Sequence, residues 1–287
     1  MDFERLQNID RRWLYLLLLL AVAVPMLRAG GAGGTVVLPE TRNYYETVER
    51  VAADPVRREK LVILVANFSS STATENLTQY EATMRHLMSK RLKFAILSLA
   101  DPQGRELAQQ AADRLSPEFD YQYGRDYVNW GFKTGDAALN VKALARDIPG
   151  TFGKDIKGTP LEQIPVMRGV RGVNDVGLVV ETASVDSLEY WLAYFRAAGD
   201  EPVPLLYACT AVMAVEAYPF LRSGQVQGML NGLTGAGQYE ALLNNPGFGS
   251  RMSTSLSWAH FLILFLIVFG NVAMVAARRR AIARGAV

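Results

Sequence analysis

Cysteine and histidine are nearly missing from this chain. Its 287 residues hold one cysteine, Cys209, and two histidines, His86 and His260. An internal disulfide is therefore excluded, as are zinc sites built from several cysteines. Net charge is small as well: 30 Lys and Arg stand against 28 Asp and Glu, a formal +2. With half the residues hydrophobic, that balance argues against disorder and leaves no nucleic-acid-binding tail. The slight basicity is local, with four arginines in the last ten positions.

Familiar catalytic and nucleotide signatures are missing too. No Gly-Lys-Ser/Thr order forms a Walker loop, and "LTGAGQYE" offers Gly235 and Gly237 after a helical stretch with no third glycine in place. Ser69, Ser70 and Ser71 follow an apolar run, but no G-x-S-x-G surrounds them. His86 falls off the apolar stripe of its helix and reads as solvent-exposed. Cys209 closes an apolar strand, where a small buried hydrophobe is the usual role. No cofactor or metal set is expected.

What the chain does have is two long apolar runs. The first, "WLYLLLLLAVAVPML" from Trp13 to Leu27, follows Arg11 and Arg12. It is short against the ~20 residues of a bilayer span. Trp13 and Tyr15 suit an interface, and Arg28 stands where a cleavage site would want small residues, so it reads as an uncleaved signal anchor. A cleaved signal peptide is the alternative. The second, "WAHFLILFLIVFGNVAMVAARRR" from Trp258 to Arg280, has the length of a span and a block of arginines after it. Asn271 lies inside it and is a candidate helix–helix contact. Arg5, Arg11 and Arg12 before the first run, and Arg278, Arg279, Arg280 and Arg284 after the second, put both ends in the cytoplasm by the positive-inside rule. "NFS" at Asn67 and "NLT" at Asn76 match glycosylation sequons, as chance triplets often do.

The expected order is a cytoplasmic tail (1–12), a transmembrane anchor (13–29), a glycine-rich leash and helix (30–60), an extracytoplasmic domain (61–250), a second span (257–277) and a basic cytoplasmic tail (278–287). Within the domain, "LVILVA", "FAILSLA", "VGLVVE" and "PLLYA" are near-continuous apolar runs, as in parallel strands covered on both faces, with "DYVNWGF" a weaker fifth. Helical stripes lie between them: Leu77/Tyr80/Met84/Leu87/Met88, Leu107/Ala108/Ala111/Ala112/Leu115, Ala138/Val141/Leu144/Ala145/Ile148 and Leu188/Trp191/Leu192/Phe195. The fold class is α/β, a Rossmann-like parallel sheet with helices on both faces, flanked by N- and C-terminal transmembrane helices. Thr151–Asp175 is a long, basic excursion of the kind that forms interfaces. Tyr218–Leu243 reads as short, glycine-broken helices.

Ligands of such sheets bind outside the carboxyl ends of the strands. The residues there are Asn67, Ser69, Ser70, Ser71, Asp101, Glu181, Thr182, Cys209 and Thr210. Asp101 and Glu181 could form a carboxylate pair, and the hydroxyls before Glu75 could receive an anion. Ordinary helix capping accounts for most of the same residues, Asp101 before Pro102 above all.

The phrases "DRRWLYLLLLLAVAVPML", "YGRDYVNWGFKTG", "GTPLEQIPVMRGV" and "YPFLRSGQVQGMLNGLTGAGQYEAL" resemble a family of bacterial membrane-anchored proteins with a Rossmann-like domain between two transmembrane helices. The family carries no activity to transfer. The layout is also similar to auxiliary proteins of gliding-type ABC transporters. The leading expectation is a non-catalytic subunit or scaffold of a bacterial inner-membrane assembly, partnered by other membrane subunits or by copies of itself, with no nucleic acid. The alternatives are a ligand-binding sensor or transport auxiliary using the strand ends, and a membrane-tethered hydrolase using Asp101 and Glu181.

Overall fold

Continuous apolar strands need cover on both faces, and the computed structural model supplies it. Residues 10–27 and 36–283 are described. They divide into two units, one of Met1–Gly33 with Pro246–Val287 and one of Gly34–Asn245.

The larger unit holds six strands: β1 (Leu61–Asn67), β2 (Phe94–Ser98), β3 (Tyr127–Phe132), β4 (Val176–Ala183), β5 (Leu205–Cys209) and β6 (Gly228–Asn231). All pairs are parallel and the order is β3-β2-β1-β4-β5-β6. Every residue of β1, β2, β4 and β5 is buried, which is why these strands show no polar alternation.

In the numbering used here, α1 is Arg11–Leu27, α2 Pro39–Ala53, α3 Ala73–Ser89, α4 Pro102–Phe119, α5 Ala137–Arg146, α6 Ile148–Phe152, α7 Leu188–Trp191, α8 Ala214–Arg222, α9 Gly232–Leu242 and α10 Phe248–Ala283. α7 runs on into a π-helical turn, Leu192–Arg196. One core lies between the sheet and α2, α3, α4 and α9, centred on Val62, Leu64, Met84, Leu87, Phe94 and Tyr239. The other lies between the sheet and α5 to α8, centred on Ile63, Val65, Leu144, Trp191, Phe195 and Tyr207. Two glycines permit the closest approaches. A Cβ on Gly104 would fall 1.9 Å from the Ala66 carbonyl oxygen, where α4 starts against the end of β1. One on Gly228 would fall 2.2 Å from the Tyr44 nitrogen, where α2 crosses β6.

Three expectations change. First, Tyr218–Leu243 contains a strand, β6, between two helices. Its four residues begin with glycine and end with asparagine, so only pairing with β5 reveals it. Second, Thr151–Asp175 is not merely a polar excursion. Its three 3-10 turns bury Leu161, Val166, Met167 and Val173 in the second core, and Ile156 N–H caps the outer edge of β3 at the Asn129 carbonyl, 3.0 Å. Third, His86 is buried, at 1 % exposure.

The third change follows from the way α3 packs. Beside its apolar stripe runs a second one of Asn76, Gln79, Thr83 and His86, all buried. Gln79 Nε2 lies 2.9, 3.1 and 2.9 Å from the carbonyls of Cys209, Leu230 and Gly232, tying together the ends of β5 and β6 and the start of α9. Thr83 shares a 2.8 Å hydrogen bond with the Tyr44 hydroxyl. His86 sits between the Tyr239 hydroxyl, 2.7 Å from Nδ1, and Glu49, 3.1 Å from Nε2, with the Tyr45 ring stacked on it. Burial pushes its pKa down to about 4, against the opposing pull of Glu49. The ring is therefore neutral at pH 7. The Tyr239 hydroxyl, itself held protonated by burial, donates to Nδ1, and Nε2–H donates to Glu49. Both sequon asparagines, Asn67 and Asn76, are fully buried and donate hydrogen bonds from their side-chain amides, so neither is presented for glycosylation.

In the smaller unit, α1 and α10 pack together. The stretch Phe248–Ala276 of α10 is long and apolar enough to cross a membrane, and it is the one such helix among the described residues. α1 has 17 residues, about 26 Å at ~1.5 Å per residue, against a hydrocarbon core of ~30 Å. The expected glycine leash, Gly30–Gly34, and the outermost arginines, Arg5 and Arg284, lie outside the described residues.

Candidate functional site

The sheet winds outward from β1 through β2 and β3 on one side and through β4, β5 and β6 on the other. The crevice between the carboxyl ends of β1 and β4 is thus its topological switch point, where such sheets receive ligands. Here that crevice is knitted together by Asn67. Its Oδ1 accepts from the N–H groups of Leu99 (2.9 Å) and Ala100 (3.2 Å), just beyond β2. Its Nδ2 donates to Glu181 Oε1 (3.2 Å) and to Ser187 Oγ (3.3 Å).

Glu181 has no exposed surface. Ser187 donates to the same Oε1 at 2.5 Å, and Glu181 Oε2 has no hydrogen-bond partner. The Trp191 indole lies near the carboxyl and helps to stabilise its charge, yet Nε1 also completes no hydrogen bond. Burial pushes the Glu181 pKa up to about 7; Ser187, Asn67 and Trp191 pull it back, and the charge of Asp186 adds to the rise. What this corner can do chemically is hold or release one proton near neutral pH.

Comparison with protein-family models, with curated proteins and with solved structures finds no match.

The remaining strand-end candidates do not converge on Glu181. Ser69 and Ser71 share a 2.7 Å hydrogen bond, and Ser70 N–H donates to the Gln103 side chain at 3.1 Å. Ser70–Thr72 forms a 3-10 turn leading into α3, with Ser70 and Ser71 exposed. The hydroxyl-rich loop is a helix entry bound to the start of α4. Asp101 caps α4, its Oδ1 accepting from Gln103 N–H at 2.8 Å. Asp101 and Glu181 share no hydrogen bond, and the carboxylate of Asp101 serves the helix start, as the capping alternative has it. Thr182 is buried on the opposite face of β4 from Glu181, with its Oγ1 unpartnered. Thr210 is buried, and its carbonyl accepts from Met213 N–H at 3.0 Å in the turn after β5. Burial pushes the Cys209 thiol up to about 12, with Glu75 and Glu181 adding to it, which keeps it a thiol at neutral pH.

Two members of the corner escape a reading of strand ends alone. Ser187 precedes α7 as an N-cap serine would, but its hydroxyl turns to Glu181 instead of to the helix. Trp191 belongs to an apolar stripe, and nothing local tells that its N–H faces a carboxyl. The one signal available is the short Ser-x-x-x-Trp spacing after a strand with an acid near its end.

Proposed function

We propose that this chain is a membrane-anchored α/β subunit, with its domain outside the cytoplasm serving as a non-catalytic scaffold for other subunits of a bacterial inner-membrane assembly. The observation that carries the reading is the surface of α10. Trp258, Phe261, Leu264, Phe265, Val268 and Val272 are all more than half exposed. In water that would be one continuous apolar face through the middle of a 36-residue helix, far beyond what a soluble monomer tolerates. A bilayer covers it without cost. The leucines of α1, which packs on α10, are likewise open, and arginines stand at the two outer ends. In this reading α1 also spans the membrane, tilted little, with both termini cytoplasmic.

Asn271 supports self-association or helix pairing in the membrane. Its Nδ2 turns back to the Ile267 carbonyl at 2.9 Å, which leaves the side-chain oxygen as an acceptor with no partner among the described residues.

The test is to extract the full chain in mild detergent after an alkaline carbonate wash, then to measure the mass of the particle and identify its companions. Retention in the washed membranes and a particle larger than one chain support the proposal. Release by carbonate overturns the anchor, and a lone monomer overturns the scaffold. An Asn271→Leu chain that assembles like the parent removes Asn271 from the contact. A ligand-binding role is the second reading, favoured by the unpartnered polar atoms at the strand ends, Glu181 Oε2 and Thr182 Oγ1.

A further inference from the structure

One strand over from the switch point, a cavity of about 140 Å³ opens over Tyr207 in the middle of β5, between the start of α7 with the segment that leads into it and the helix α8. Its apolar walls include Leu188 and Phe220, and its rim carries Asp186, Glu189 and Glu216. All three carboxylates are exposed, and none forms an ion pair or side-chain hydrogen bond with a described residue. No lysine or arginine lines the cavity. Exposed acids alone would be an ordinary solvated rim.

A second feature points inward. Tyr207 lines the cavity and is only 2 % exposed, yet its hydroxyl neither gives nor takes a hydrogen bond among the described residues. A hydroxyl in the wall of a cavity, with no protein partner, is open to one from outside the chain. Glu181 stands beside it in register on β4, and its own Oε2 is also unpartnered. Burial raises the Tyr207 pKa far above the ordinary range, and Glu181, Cys209, Asp186 and Glu216 push it the same way. The hydroxyl therefore stays protonated, with its oxygen lone pairs open to a donor, in a region of negative potential.

We propose that this cavity binds a small organic cation, a primary ammonium or guanidinium carried on a short apolar stem. The oxygen of Tyr207 accepts from the cationic head, the rim carboxylates supply the charge, and Leu188 and Phe220 cover the stem. Anions are opposed by every charge at the rim. Metal ions need several oxygens converging at bonding distance, and among the described residues no three His, Cys, Asp or Glu side chains gather that closely. The volume is about half the lower end of small-molecule pockets, ~300 Å³, which suits a fragment the size of one side chain. A free amine and the side chain of a lysine share this chemistry.

The experiment is calorimetric titration of the full chain in mild detergent at neutral pH. The probes are n-butylammonium chloride, neutral n-butanol, and Nα-acetyl-lysine amide. The expected result is saturable binding of butylammonium, at least ten-fold tighter than butanol. The double variant Asp186→Asn/Glu216→Gln, altered only at exposed positions, should weaken it ten-fold or more. Tyr207→Phe, which keeps the ring packing, should weaken it several-fold. Equal binding of acetyl-lysine amide assigns the site to a lysine of a partner protein; its exclusion assigns the site to a free amine. Either supports a cation site. Absence of saturable binding, equal affinity for butanol, or charge variants that bind like the parent would overturn it. Carbonate extraction and native mass read the anchor and the scaffold independently of these titrations.

Discussion

Replacing Glu181 by Gln should stabilise the domain at pH 8 and lose that advantage at pH 5. Burial holds the folded-state pKa at about 7, against an ordinary value of 4.5. Between those values the folded chain keeps a proton that the unfolded chain has released. Stability is thus fully present below about pH 4.5 and is lost as pH rises through 7. The difference of 2.5 pH units, at ~1.36 kcal/mol each, is a loss of about 3 kcal/mol. Glutamine keeps an oxygen for the Ser187 and Asn67 donors and carries no charge to bury, so it escapes the loss. In a domain of this length each kcal/mol moves Tm by roughly 2–4 °C. Part of the loss already falls below pH 5, so the advantage of the variant over the parent should grow by about 5–10 °C between pH 5 and pH 8. The assay is thermal unfolding of both full chains in the same detergent, followed by far-UV circular dichroism. Taking the difference at each pH cancels the titration of every other group. A gap that does not change with pH would refute a buried, protonated Glu181.

Three further outcomes are expected. His86 has the opposite sign: its folded-state pKa is lowered to about 4, so the unfolded chain protonates first and stability is lost as pH falls from about 6.5 towards 4. The parent should lose about 3 kcal/mol more than His86→Gln across that window, read by denaturant unfolding at pH 7 and pH 4. Gly104→Ala, whose Cβ would overlap the Ala66 carbonyl, should cost roughly 3 kcal/mol by the same measurement. Asp101→Ala should cost about 1 kcal/mol, as loss of a helix cap does, and Asp101→Asn close to nothing; equal losses in both would point to a role for the charge.

The parallel sheet was legible because its strands are apolar on both faces, and runs such as Leu61–Ala66 are short, rich in β-branched residues and alternate with helical stripes. β6 was not legible: four residues opening with Gly228 have no pattern of their own and become a strand only beside β5. His86 misled for a related reason: it shares a polar side of α3 with Asn76, Gln79 and Thr83, and each of the four finds a partner on an element distant in sequence. Hydropathy records the need for hydrogen bonds without recording who meets it. At the candidate site, Asn67 and Glu181 could be named from their positions at strand ends. Their contact, through a separation of 114 residues, could not.

The asparagine at the end of β1 also has a mechanical side. A single planar amide at the end of β1 spends its two donors and two lone pairs on Leu99 and Ala100 beyond β2 and on Glu181 and Ser187 in and beyond β4, so the ends of three strands are tied through one side chain. Loosening any one bond releases none of these ends. A guest that pushes the amide aside has to satisfy all four groups at the same moment, or leave buried polar atoms stranded. Replacing the amide would therefore free the ends of β2 and β4 from β1 together, not one of them alone.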